Sequence, residues 1–281
     1  MIYIEIMGGL GNQLFQIFTG ISYSINYRVP FKIKYNKEDM VSPLDGTSKR
    51  PTYWDNFLKS ISNFTYSQMP FLPVFRERQQ FKYNIIPHLG EEFILFGYFQ
   101  SYLYFENNKD TIIRLLKIDK NKELVKNQFS EIFREKKPIS MHFRIGDYTK
   151  ASHVHPILNI EYYKGALKTL CGKIPNLSRD YYVLYFFEEQ DTNVVNTIVN
   201  ELVMEYSAID FRPCNQSIED WKQMLLMSNC SHNILANSTF SWWGAYLNDN
   251  SNKVVVYPEK WTGLTNKTED LFPNKWAMVN I

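Results

Sequence analysis

Lys137-Pro138-Ile139-Ser140-Met141-His142-Phe143-Arg144 is the stretch from which the fold can be read. After the proline, a run ending in His142-Phe143-Arg144 predicts a buried strand over 139–144, and the chain beyond it repeats one pattern. Strands are expected at 181–187, 208–211, 231–236 and 253–257. Helices at 160–170, 192–204, 217–228 and 241–247 alternate with them, each with apolar residues at helical spacing. Ser217-Ile218-Glu219-Asp220 resembles a capping box at the third of these helices, with Asp in the usual Glu or Gln position. Strict alternation of strand and helix predicts a parallel sheet with helices on both faces.

Upstream the pattern is weaker. A strand over 2–6, a turn at Gly8-Gly9-Leu10-Gly11 and a helix over 12–26 open the chain, followed by strands at 31–34 and 93–99 and a helix over 124–133. Prolines at 43, 51, 70, 73 and 87 interrupt the region from Asp39 to Gly90, which predicts short helices and loops. Lys136-Lys137-Pro138 is the expected boundary, giving domains over 1–137 and 138–281.

The composition excludes several classes. With 31 Lys+Arg against 29 Asp+Glu among 281 residues, and no concentrated basic stripe, nucleic acid is not an expected partner. The mild positive balance suits a phosphate-bearing ligand. Three scattered cysteines carry no metal-ligand or disulfide spacing, so no metal site and a reducing, cytoplasmic location are expected. No signal peptide and no transmembrane span are read. The aromatic load of 16% supplies core, and any exposed rings could stack on sugars.

Ligands of a parallel sheet bind beyond the carboxyl ends of its strands. His142 and Arg144 are two apart and so share a strand face. Glu188-Glu189 ends the next strand, and Asn237-Ser238-Thr239 precedes a helix starting near Ser241. A helix N-terminus with flanking hydroxyls suits an anion, an arginine can clamp a diphosphate, and a carboxylate can accept from the N–H edge of guanine. Together they describe a nucleotide site. Each also has a plainer reading: an Arg144–Asp147 ion pair, a helix cap at 237–239, a solvated loop at 188–189, and core packing for Trp242-Trp243. Gly9-Leu10-Gly11 opens like a dinucleotide fingerprint, but Leu14 stands where the third glycine belongs and no acidic residue ends the strand at 31–34. No phosphate-binding GxxxxGK[ST] loop occurs. No Asp-x-Asp ends a strand, which argues against a metal-dependent transferase.

Three stretches in this order, Gly8-Gly9-Leu10-Gly11-Asn12-Gln13-Leu14-Phe15-Gln16, His142-Phe143-Arg144-Ile145-Gly146-Asp147-Tyr148 and Ala236 through Leu247, resemble the α-1,2-fucosyltransferases of glycosyltransferase family 11. Weaker echoes lie at Gly97-Tyr98-Phe99-Gln100 and from Trp221 to Cys230. The resemblance implies a GT-B fold, two Rossmann-like α/β domains facing across a cleft, with the acceptor on the first and the nucleotide sugar on the second. It implies an inverting, metal-independent enzyme that needs no cofactor and moves L-fucose from GDP-fucose to the 2-hydroxyl of a galactose-ended glycan. Other acceptors or linkages, or a catalytically weak nucleotide-sugar binding protein, are the alternatives. Gly9, Gly11, His142, Arg144, Glu188, Glu189, Asn237, Ser238, Thr239 and Ser241 would bind the donor. Arg144 and Asn12 would hold the charge growing on the leaving phosphate. Asp147 is the first choice for a base, with His153 and His155 as rivals. The second arginine usual in the H-x-R-R motif is Ile145 here.

Overall fold

The computed structural model describes residues 1–36, 38–41, 49–68, 70–264 and 267–280; the side chains of residues 147, 150 and 151 lie outside that description. Internal contacts divide the chain into two units, Met1–Asn121 with Lys267–Pro273 and Lys122–Asn266 with Asn274–Ile281. Each is a Rossmann-like α/β unit built on a parallel sheet, the GT-B type of architecture the sequence predicts.

The first unit runs β1 (Ile2–Ile4), α1 (Leu10–Tyr27), β2 (Phe31–Lys34), an antiparallel ribbon of β3 (Met40–Val41) with β4 (Lys49–Arg50), β5 (Thr65–Tyr66), β6 (Val74–Arg76), β7 (Phe93–Phe96) and α2 (Lys109–Leu115). The main sheet has the order β5-β2-β1-β7-β6, every pairing parallel. Strands β5 and β6 come from the proline-interrupted region where short helices and loops are expected. They are edge strands of two and three residues, too short to carry a readable alternation. Gly20 lets α1 lie against the sheet, because a Cβ there would overlap the Ile4 side chain.

Helix α3 (Ile118–Gln128) spans the division between the units. Lys122 is buried, and its ammonium donates to Leu247 O at 2.6 Å and pairs with Asp249. An ammonium taken out of water needs such partners, and Lys122, Leu247 and Asp249 all belong to the second unit.

The second unit continues with β8 (Lys137–His142), α4 (Ile160–Lys173), α5 (Leu177–Asp180), β9 (Tyr181–Phe186), α6 (Thr192–Glu205), β10 (Phe211–Pro213), α7 (Asp220–Asn229), β11 (His232–Ile234), α8 (Thr239–Tyr246), β12 (Val255–Pro258) and β13 (Ala277–Val279). The sheet order is β10-β9-β8-β11-β12-β13, again wholly parallel. Alternation along β8 and the residues directly after it decides what each residue does. Ile139, Met141, Phe143 and Ile145 enter the apolar core with Tyr162, Tyr163 and Leu167 of α4. Ser140 and His142 face the other way, where Asn233 donates to Ser140 Oγ at 2.7 Å and to Met227 O of α7 at 2.9 Å.

Three local expectations need correction. The helix expected over 124–133 is α3 at Ile118–Gln128, followed by a separate short helical turn at Ser130–Phe133. The strand expected over 208–211 is β10 at Phe211–Pro213, since the preceding residues turn, with Ile209 N donating to Tyr206 O. The capping box at Ser217 does not form. Ser217 Oγ donates to Asn215 Oδ1 at 2.8 Å, and α7 starts later with Glu219 as N-cap and no side-chain cap bond. Among the described residues no helix is long and apolar enough to cross a membrane.

Candidate active site

At the carboxyl edge of the second sheet, the end of β8 carries most of the expected site. His142 is buried with its ring 5.6 Å from that of Phe240, and its Nδ1 has no partner among the described residues. Burial, reinforced by the Arg144 charge, lowers its pKa to about 3. The imidazole is therefore neutral near pH 7, and its polarity rather than a charge is what it offers a ligand. Arg144 pairs with Glu188 across the end of β9 and lies over the Tyr148 ring, 5.2 Å from guanidinium carbon to centroid. Gln190 Nε2 donates to the second Glu188 oxygen at 2.7 Å. Glu188, expected at a guanine edge, is thus the partner of the expected diphosphate clamp, and Glu189 beside it is exposed.

The segment after Arg144 is fixed from below. Gly146 N donates to Asp191 Oδ2 at 2.9 Å, and Asp191 is 7% exposed. Gly146 has φ 21, and a Cβ there would come within 2.5 Å of Glu188 Oε2, so glycine is what lets this turn pass the Arg144–Glu188 pair. The chain then enters a short helical turn, Gly146–Ala151. Asp147 is on it, and its side chain lies outside the described residues. Tyr148 donates to Asn237 O at 3.0 Å and stacks on His155 at 4.5 Å, which occupies that candidate base with ring packing. His153 belongs to a backbone segment packed against Gly263, where a Cβ would overlap its carbonyl.

The third expected piece is the start of α8. Ser238 is the N-cap, its hydroxyl accepting from Phe240 N at 3.3 Å, and Thr239 is the first helical residue. Ser241 is buried and donates to Ser238 O at 3.2 Å. Asn237 is also buried; its amide nitrogen donates to Pro156 O at 2.8 Å and Trp261 O at 3.4 Å, so it ties two loops to the strand end, while Oδ1 has no partner among the described residues. Trp242 and Trp243 are fully buried, and Gly244 admits Met227 of α7, whose Cβ would be 2.7 Å from an added Cβ. Half of this motif is therefore packing.

In the first unit the Gly-rich turn follows β1. Gly9 is the N-cap of α1, and Gly11 is buried inside the helix. The glycine the backbone requires is Gly8, with φ 77. Two buried glutamines of the motif brace this turn. Gln13 Nε2 donates to Gly8 O at 3.0 Å, and Gln16 accepts from Met7 N at 2.8 Å while donating to Met7 O at 3.3 Å. Asn12 Oδ1 accepts from Gln100 Nε2 at 2.8 Å.

A family model described as Glycosyl transferase family 11 matches residues 29–280. The chain belongs to glycosyltransferase family 11. This family 11 chain is 34% identical over 194 residues to the O-antigen biosynthesis glycosyltransferase WbnK of Escherichia coli, a match covering 63% of the chain and 58% of that relative. It is 25% identical over 299 aligned positions to an Escherichia coli alpha-1,2-colitosyltransferase, covering 99% of both. In structure it is similar to an Arabidopsis thaliana FUT1 mutant in complex with GDP, with a TM-score of 0.50, 12% identity, and 93% of this chain and 71% of that chain covered. At that identity the likeness speaks for the fold alone.

Sequence reading missed Asp191 and Gln100 in this family 11 chain. Asp191 was visible as a third carboxylate in Glu188-Glu189-Gln190-Asp191. Gln100 ends the Gly97–Gln100 echo, but its partner is 88 positions away. Among the described residues, no group of three or more His, Cys, Asp or Glu side chains is arranged to hold a metal.

The buried neutral His142 has a consequence for stability. Its folded pKa lies below the ordinary value of 6.5, so the unfolded chain takes up this proton first. The stabilisation is complete above pH 6.5 and is lost as pH falls toward about 3, with a slope approaching ~1.4 kcal/mol per pH unit. Urea midpoints at pH 7 and pH 4.5 should fall more for the wild type than for His142→Phe. Equal losses would mean that this imidazole does not titrate in the unfolding transition.

Proposed function

We propose that the chain is an inverting glycosyltransferase that moves a fucose-series 6-deoxy-L-hexose from a GDP-linked donor to a glycan hydroxyl. The observation that carries this reading is the likeness along the whole chain to a colitosyltransferase. Colitose is the 3-deoxy counterpart of L-fucose, and this likeness favours a broader donor and acceptor range over fucose on the galactose 2-hydroxyl alone. The second domain, taken as 138–281, is assigned to the donor, and the first, taken as 1–137, to the acceptor.

In the reaction, the acceptor oxygen forms a bond to C1 as the C1–O bond to the β-phosphate breaks. The electron pair leaves with GDP, and the hydroxyl proton passes to a base, for which Asp147 is the assignment, or to water. Negative charge grows on the departing phosphate. Arg144 is suited to meet it, together with the N–H groups at the start of α8 beside Ser238, Thr239 and Ser241, in a site preorganised before the charge appears. Asn12 is assigned to the same leaving group. His142 and Glu189 are assigned to the nucleoside, and Glu188 holds Arg144 until the diphosphate competes for it. Gly9, the N-cap of α1, and Gly11, in its first turn, are assigned to the donor. Neither a metal nor a cofactor is part of this reading. The three cysteines, all unpaired, support a reducing, cytoplasmic setting.

The test is a screen of GDP-fucose and GDP-colitose against a panel of oligosaccharides, with product linkage analysis and with EDTA in a parallel arm. Transfer from at least one donor that persists in EDTA is expected, as is tighter binding of GDP than UDP. GDP binding without transfer to any acceptor would favour a nucleotide-sugar binding protein instead. Turnover abolished by EDTA and restored by Mg²⁺ or Mn²⁺ would overturn the metal-free reading.

A further inference from the structure

Tyr148 links two parts of the second unit that follow different strands. Its backbone N–H donates to Ile145 O at 2.8 Å, within the turn after β8. Its hydroxyl donates to Asn237 O at 3.0 Å, beyond the end of β11 and one residue before Ser238, the N-cap of α8. Asn237 is itself anchored by the bonds from its amide nitrogen to Pro156 O and Trp261 O. The Tyr148 ring stacks on the His155 imidazole at 4.5 Å, with 20° between the planes. The tyrosine is therefore fixed at its hydroxyl by one loop and on its face by another, and the Arg144 guanidinium lies over the same ring.

Two partners of Arg144 act in different ways. The Glu188 carboxylate engages the guanidinium through its N–H groups, as an anionic phosphate oxygen also does, so the two compete for the same donors. An aromatic face attracts a guanidinium through its quadrupole and takes up no N–H in a conventional hydrogen bond. The Tyr148 contact is thus compatible with either acceptor and holds the guanidinium before and after such an exchange. The hydroxyl at the other end of the same side chain sets how far that ring stands from the start of α8.

We infer that Tyr148 is a positioning residue: its ring carries the Arg144 guanidinium, and its hydroxyl keeps that guanidinium in register with the start of α8. This rests on the assignment of Arg144 to the leaving phosphate of GDP. A tyrosine that only packed the turn against His155 would matter equally whether or not an arginine stood at position 144. A positioning role disappears with the arginine. Tyr148→Leu removes the aromatic face, and Tyr148→Phe keeps the face but removes the anchor to Asn237 O.

The test is a mutant cycle read by calorimetric titration with GDP, which measures the folded protein and needs no acceptor. Tyr148→Leu should weaken GDP binding about tenfold, within the range of a partly desolvated cation–π contact. Tyr148→Phe should weaken it about threefold, the scale of one modest hydrogen bond, and tests the anchor by itself if the leucine variant does not fold. In the Arg144→Ala background each Tyr148 substitution should change GDP affinity by less than about twofold, because its effect passes through the guanidinium. The same losses with and without Arg144, or wild-type GDP affinity in both Tyr148 variants, would overturn the inference. Unchanged GDP affinity in Arg144→Ala would instead remove the assignment of Arg144 to the phosphate. A wild type that does not bind GDP would remove the functional reading, and this inference with it.

Discussion

Replacing Arg144 by lysine is expected to lower turnover about 30- to 150-fold, equivalent to about 2–3 kcal/mol of transition-state stabilisation, with little change in melting temperature. The guanidinium is held by the Glu188 carboxylate and the Tyr148 ring. Both contacts suit a planar group that presents several N–H bonds in fixed directions, which a lysine ammonium cannot reproduce. Stability should be nearly unaffected, because the Glu188 side chain is 39% exposed and partly exposed ion pairs contribute at most about 1 kcal/mol. Glu188→Gln should also slow turnover, and the double variant should lose less than the product of the two single losses, since both act on one pair. Near-normal turnover in Arg144→Lys would show that the guanidinium fork is not the phosphate clamp.

Ile145→Arg would restore the arginine pair seen in the usual motif, yet it is expected to cost the fold rather than improve the enzyme. Ile145 is 7% exposed and belongs to the core formed with Phe143, Leu158, Tyr162 and Tyr163. An unpaired buried charge destabilises by roughly 3–5 kcal/mol, a large part of the roughly 5–15 kcal/mol that stabilises a typical folded chain. Ile145→Ala should be milder, costing about 2–5 kcal/mol through lost burial and a cavity, and should leave GDP affinity of the folded protein within about threefold, or ~0.6 kcal/mol. Thermal unfolding with GDP titration checks both. An Ile145→Arg protein with the wild-type melting temperature would mean that this side chain does not belong to the core. Loss of GDP binding in well-folded Ile145→Ala would mean that the opposite strand face carries the site.

The two variants differ because of a period that can be read directly from the sequence. Side chains alternate along the strand read over 139–144, which puts His142 and Arg144 on one face, and beyond the end of β8 Ile145 joins Phe143 in the core. The same local rules determined the strand–helix alternation from Ile139 onward, the parallel sheet, and a helix near Ser241, which starts two residues earlier at Thr239. These features depend on residues only a few positions apart. The short edge strands β5 and β6 stayed hidden because pairing with β2 and β7, rather than their own two or three residues, makes them strands.

Tertiary structure alone decided which polar groups meet. Glu188 answers Arg144 because β8 and β9 are neighbours in the sheet. Asn237 is engaged by Pro156 and Trp261 because two loops close over the end of β11. Asp191 reaches Gly146 N, and Gln100 reaches Asn12, over 45 and 88 positions of chain. A carboxylate or an amide has the same hydrogen-bonding capacity wherever it stands in a sequence. Which partner it takes is set by strand order and by the need of each buried polar group to be satisfied, and strand order is a property of the whole folded unit.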